Sequence, residues 1–170
     1  DNTNLFELML RFTSGLPADK GVLVLDGTDD CADTPDHAVL DIGDDADESL
    51  TVEAWVFFSV FGPSQLVEKP GAYVLYTTQS TSGTYEMRGL GFRVQSGDSA
   101  WYVESSTTQY GGGFHISGWH HVAGVYDRSA GEMRLYMDGE LEKSYQIGQV
   151  TVNNASEPLY VGKGVAGLIE

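Results

Sequence analysis

The stretch Asp26-Gly27-Thr28-Asp29-Asp30 sets three carboxylates and several backbone carbonyls around one glycine turn. Hard oxygen donors at that density suit calcium, which takes roughly six to eight oxygens in a flexible shell. The stretch lies in the most acidic part of the chain. Of 25 acids, eleven fall within residues 19–48, and Lys20 alone opposes them. The spacing is not that of an EF-hand loop. The same acids also fit a solvated charged loop, and residues 41–48 fit that description better than a second ion site.

His120 and His121 are the next candidates, with Asp127 and Asp138 close behind them. On a strand, neighbours point to opposite faces, so adjacent imidazoles cannot share one ion or one substrate. Zinc would need a third ligand at helical or hairpin spacing, and none follows. One ring is expected in the core with its N–H satisfied, the other near the second face. Retaining glycosidases need two carboxyls about 5 Å apart. Glu48 and Glu53 fall on opposite faces, and Glu140 and Glu142 flank a turn. Neither a Ser-His-Asp order nor a phosphate loop is present. The chain therefore reads as non-enzymatic. Aromatic and guanidinium groups remain. By alternation, Trp55, Arg93, Tyr102, Arg134 and Tyr136 fall on the second face of their strands. Such a platform suits a neutral or acidic glycan; the alternative is that Trp55 and Tyr136 are core under loops. The loop tips at 79–85 and 107–113 are further contact candidates.

These side chains need strands to position them. Residues 50–58 alternate cleanly: Leu50, Val52, Ala54, Val56 and Phe58 share one face, Thr51, Glu53, Trp55 and Phe57 the other. Similar runs occupy 5–12, 22–25, 65–68, 73–78, 90–95, 101–105, 119–126, 133–137, 141–145 and 159–162. Asp138-Gly139 supplies the positive φ angles of a type I′ hairpin turn. No capped window of helical periodicity appears, and 21 glycines furnish the turns. Short strands at this spacing predict one all-β domain over residues 1–170, a two-sheet antiparallel sandwich.

Bulk properties narrow the partners. A net charge of −16 repels nucleic acid and anionic membranes. No apolar run approaches the ~18 residues of a membrane span, so membrane insertion is not expected. A single cysteine, Cys31, excludes an intrachain disulfide, and its acidic neighbours disfavour a reactive thiolate. The polar opening at Asp1 suggests a mature product or a fragment of something larger. Asn154-Ala155-Ser156 is a glycosylation sequon, meaningful only in a eukaryotic secretory host.

Three segments carry a resemblance: LVLDGTDDCADTPDHAVLDI followed by SLTVEAWVFF, then GWHHVAGVYDRSAGEMRLYMDGEL, then PLYVGKGVAGLIE. In this order and register they resemble the laminin-G-like, concanavalin-A-like jelly-roll family. The resemblance implies two curved antiparallel sheets and an extracellular or cell-surface setting. It implies a non-catalytic binding module for a glycan or for a cell-surface or matrix protein, with a structural calcium ion. It also brings the Asp26 turn near the closing strand, so that Glu170 joins Asp26, Gly27 (through its carbonyl), Asp29 and Asp30 as a ligand. One departure stands out. Relatives continue past Gly-Leu-Ile-Glu into a final core strand, which is expected to be missing or cut short here. Either a longer parent protein is cut at this point, or the gap is filled by another segment, for which residues 5–12 are the candidate, in cis or from a neighbouring subunit. Exchange between subunits would make a homo-oligomer or filament, a structural building block rather than a binder.

Overall fold

Alternation along residues 50–60 sets the pattern of the molecule. Leu50, Val52, Ala54, Val56 and Phe58 are all at most 7% exposed, while Thr51, Glu53 and Trp55 between them face solvent. The computed structural model describes residues 22–43, 48–60, 62–82, 85–105, 107–108 and 118–170. The expected strand at 5–12 and most of the 107–113 tip lie outside the described residues.

One sheet, called A, contains β1 (Leu23–Asp26), β3 (Leu50–Val60), β9 (His120–Asp127), β10 (Glu132–Met137), β11 (Glu140–Gln146) and β13 (Ala166–Ile169). Their order is β1-β13-β3-β9-β10-β11. The other, sheet B, contains β2 (Ala32–Thr34), β4 (Ser64–Lys69), β5 (Tyr73–Ser82), β6 (Tyr85–Ser96), β7 (Ser99–Glu104) and β12 (Leu159–Lys163), in the order β2-β12-β4-β5-β6-β7. A short β8 (Thr107–Thr108) pairs with β6. All pairings are antiparallel. The fold is the expected all-β jelly-roll sandwich.

The two sheets meet through Val56, Phe58, Leu66, Leu75, Leu90, Phe92, Val122, Met133 and Leu135. Gly124 on β9 shows how tightly they meet. A Cβ there would come within 2.4 Å of the Phe92 ring from the facing sheet. The β10–β11 hairpin turns at Asp138 (φ +52°) and Gly139 (φ +84°), the expected I′ geometry.

Two clasps hold the connections. Tyr126 is buried, accepts the Val150 N–H at 2.6 Å and donates to the Val150 carbonyl at 2.9 Å. Lys69 is fully buried and binds the Asp36 carboxylate at 2.5 Å and the Glu157 carbonyl at 2.9 Å, with Asp41 at 3.7 Å. With the Tyr73 hydroxyl on the Leu40 carbonyl at 3.0 Å, it fastens the short 3₁₀ turn Ala38–Leu40 to sheet B.

The chain's last strand lies inside sheet A. β13 pairs with β1 on one side and β3 on the other.

Candidate functional site

The outer face of sheet B is built in two rows. Register places Asp33, Tyr160, Glu68, Val74, Arg93 and Tyr102 side by side across six strands. The next row holds Lys163, Gln65, Tyr76, Gly91 and Glu104. Gly91 gives this row its shape. A Cβ there would meet the Tyr76 ring at 2.3 Å, so the ring can lie across β6 only because the position is glycine. The Tyr76 hydroxyl then reaches β7 and donates to Glu104 Oε1 at 2.6 Å. Burial, followed by that bond to a carboxylate, pushes the Tyr76 phenol well above its ordinary value. Tyr102 beside it is 59% exposed. At the other end, Lys163 Nζ lies 3.6 Å from Glu68 Oε2 and 4.9 Å from the centre of the Tyr160 ring. Aromatic faces, one aligned hydroxyl and several planar polar groups thus form a shallow floor.

The outer face of sheet A is different. Trp55 and His121 are cross-strand partners with ring centroids 5.3 Å apart, and His121 Nε2 lies 3.5 Å from Glu53. Phe57 and Trp119 meet at 6.0 Å. Arg134 is committed to structure, at 2.6 Å from Glu132 and 3.4 Å from Asp127. The Glu132 bond raises the Arg134 guanidinium, and Arg134 in turn lowers Glu132. Asp127 is lowered chiefly by the Ala130 N–H and the Ser129 hydroxyl. The five side chains expected on one platform therefore separate. Trp55, Arg134 and Tyr136 belong to the outer face of sheet A, Arg93 and Tyr102 to that of sheet B. No single ligand contacts both sets through the intervening core.

The histidines take opposite faces, as their adjacency requires. His120 turns inward, with Nδ1 2.7 Å from Asp138 Oδ2, and the His121 N–H donates to Asp138 Oδ1 at 3.0 Å. Burial works to raise the Asp138 carboxyl, but these bonds and the imidazoles outweigh it and hold it low.

At the end of β1, Asp26, Asp29 and Asp30 each offer an oxygen within 4.8 Å of the others, the one such acid or histidine group among the described residues. The turn itself gathers them. Asp26 Oδ1 accepts the Thr28 N–H at 2.8 Å, and Asp30 Oδ2 accepts the Asp26 N–H at 3.2 Å. Gly27 has φ +82°, and a Cβ there would lie 2.6 Å from that of Ala166. The all-oxygen donor set fits calcium chemically. Glu170 does not join it. Asp26 pairs with Ala166, whereas Glu170 exchanges backbone hydrogen bonds with Trp55 at 2.9 Å in both directions. Four residues of extended strand separate the two positions, about 13 Å.

The sequence matches the concanavalin A-like lectin/glucanases superfamily over residues 26–168. The chain belongs to this superfamily. No curated protein sequence matches it significantly. Among solved structures it is similar to the binding domain of Paraclostridial Mosquitocidal Protein 1, at 11% identity and a TM-score of 0.58, covering 89% of this chain and 38% of that one. A Bacteroides ovatus protein to which carbohydrate binding is ascribed is similar at 16% identity and a TM-score of 0.53, covering 82% and 39%. Domains LG4-5 of the mouse laminin alpha1 chain are similar at 15% identity and a TM-score of 0.53, covering 97% and 44%. The chain thus spans less than half the length of each.

Within this concanavalin A-like framework, Tyr76, Glu104, Gln65, Lys163 and Tyr160 escaped the sequence reading. A signal for Tyr76 was present. Gly89-Leu90-Gly91 sits inside a strand, and glycine there marks close approach of another group. Tyr76 approaches Gly91 from β5, whereas a Cβ at Gly89 would meet the Ser105 carbonyl at 2.1 Å and the Thr78 hydroxyl at 2.6 Å.

Proposed function

We propose that this concanavalin A-like domain is a non-catalytic, extracellular glycan-binding module whose contact surface is the outer face of sheet B. The observation that carries the proposal is the Tyr76 ring packed against Gly91 and tied to Glu104, beside the exposed Tyr102. A sugar ring presents a flat C–H face and a rim of hydroxyls. An aromatic floor with fixed polar groups at its edge complements both. Carbohydrate binding ascribed to the Bacteroides ovatus protein of similar fold, and the binding role of the toxin domain, support this reading without naming a ligand.

The two glutamates flanking the Tyr76 floor are too far apart to act as a hydrolytic pair. Glu68 on β4 and Glu104 on β7 stand three strand spacings apart, about 14 Å at ~4.8 Å each. That exceeds the separations used by either class of glycosidase, roughly 5–9.5 Å. We further propose that Asp26, Asp29 and Asp30 hold a structural calcium ion, with the Gly27 carbonyl and solvent among the remaining donors.

A glycan array, followed by calorimetry on the hits, tests the binding role. Tyr102→Ala is expected to weaken binding at least tenfold, while Trp55→Ala on the opposite sheet leaves it unchanged. Loss with Trp55→Ala instead would move the site to sheet A, and turnover of any hit would overturn the non-catalytic assignment.

A further inference from the structure

Charge bookkeeping on the outer face of sheet B singles out Arg93. The chain has 25 acids against nine Lys and Arg, so a cation without a carboxylate is unexpected. Among the other described cations, Lys69, Lys163 and Arg134 stand in ion pairs, Arg128 donates to the Val150 carbonyl, and Lys143, exposed on sheet A, has no ion pair, so Arg93 is set apart by being half-buried on this face. Arg93 makes no hydrogen bond or ion pair with any described residue. Its position makes that notable. Glu104 is its diagonal neighbour across the β6–β7 pair, a separation of ~7–8 Å that long side chains can bridge. Glu104 instead accepts the Tyr76 hydroxyl at 2.6 Å. Glu68, two strands away in Arg93's own row, is taken by Lys163 at 3.6 Å. Both of these acids are engaged elsewhere, and Arg93, itself half-buried, stands on β6 between β5, which carries Tyr76, and β7, which carries Tyr102.

We infer that Arg93 receives the carboxylate of an acidic sugar. The inference rests on the glycan-binding reading of this face and names the class of glycan. A guanidinium offers a planar fork that matches a carboxylate with two parallel N–H···O bonds. Tyr102, its direct cross-strand partner, supplies the surface for the sugar ring that carries the carboxylate.

The charge of the whole chain adds a second, unusual property. A net charge of −16 repels an acidic polymer at long range, whereas the Arg93 contact attracts it at about 3 Å. Salt shortens the Debye length from about 30 Å at 0.01 M to about 8 Å at 0.15 M. The long-range repulsion is screened first. Affinity is therefore flat or rises with salt over this range, opposite to a binder that works through a basic patch.

The experiment uses the full chain on affinity gels carrying polygalacturonate, alginate or hyaluronan, each beside its carboxyl-reduced neutral form, with dextran sulfate as the sulfated arm. At least one uronate polymer is expected to bind tenfold or more tighter than its reduced form. Arg93→Gln is expected to erase that difference, and Arg93→Lys to restore it only in part, with circular dichroism unchanged in both. Retention at 0.15 M salt is expected to equal or exceed that at 0.01 M. Equal binding of acid and reduced forms overturns the acidic-sugar inference and leaves the glycan reading standing. So does binding confined to dextran sulfate, or a steep fall with salt. Binding to no carbohydrate on these gels or on the array overturns both.

Discussion

Replacing Lys69 with Met tests the most buried charge among the described residues. Lys69 is 0% exposed, and the side chains of its partners Asp36 and Asp41 are 36% and 7% exposed. Methionine matches the aliphatic stem of lysine, so packing is nearly kept and the change is one of charge. The variant leaves Asp41 buried without a cation and the Glu157 carbonyl without its donor. Removing one member of a buried pair typically destabilises by roughly 3–5 kcal/mol. Asp36 can turn to water, which places the expected loss near the lower end, about 3 kcal/mol. For a domain of this length, that lowers Tm by about 6–12 °C. Urea unfolding followed by tryptophan fluorescence measures it. The control is Lys69→Met combined with Asp36→Asn and Asp41→Leu. Replacing all the charges by neutral groups of similar volume is often neutral in buried pairs, so this variant is expected to recover most of the loss. A loss below about 1 kcal/mol in the single variant, or no recovery in the combination, would refute the view that an uncompensated buried carboxylate is what destabilises.

Three further outcomes follow from the geometry. Asp127 and Asp138 are held below the ordinary carboxylate value of 3.8. A depressed acid contributes stability that is present above its unfolded pKa and lost as pH falls through its folded one, so both contribute above about pH 4 and fade below it. Asp138→Asn is expected to flatten the acid limb of a stability–pH curve, and an unchanged limb would remove Asp138 from the account. Gly91→Ala puts a methyl where the Tyr76 ring lies 2.3 Å from an ideal Cβ, so the ring lifts and its bond to Glu104 breaks. Ultraviolet titration should then show one tyrosine moving down toward its ordinary value of 10.0, with glycan affinity falling in step. Calcium at tenfold over its dissociation constant is expected to stabilise the wild-type chain by about 1.4 kcal/mol. That gain, read by calorimetry, should vanish in Asp29→Asn/Asp30→Asn, and an equal gain in both chains would place the ion elsewhere.

Much of the sandwich was legible because alternation is a local property. Leu50 through Phe58 declare which side is inward without reference to any other strand, and Asp138-Gly139 declares its own turn. The short strands Ala32–Thr34 and Ala166–Ile169 were not legible, because their partners, rather than their own residues, hold them extended. The clustering of Asp26, Asp29 and Asp30 was legible for the same local reason, since one turn gathers all three.

Alternation separates inside from outside, but a two-sheet sandwich has two outsides. Trp55 and Tyr102 both read as outward, and nothing within either strand says which sheet that strand joins. Only the pairing order settles it, and pairing order is set by contacts between distant segments. The same holds for Glu170, whose register beside Trp55 is decided by how β13 seats against β3. Arg93 is the sharpest case. An arginine in an acidic chain is expected to find a carboxylate, and Glu104 stands within reach. Among the described residues Glu104 bonds Tyr76 rather than Arg93, and Tyr76 reaches it only because residue 91, on Arg93's own strand, has no side chain. The feature that points to a ligand thus depends on four residues from three strands. No shorter stretch of the chain contains it.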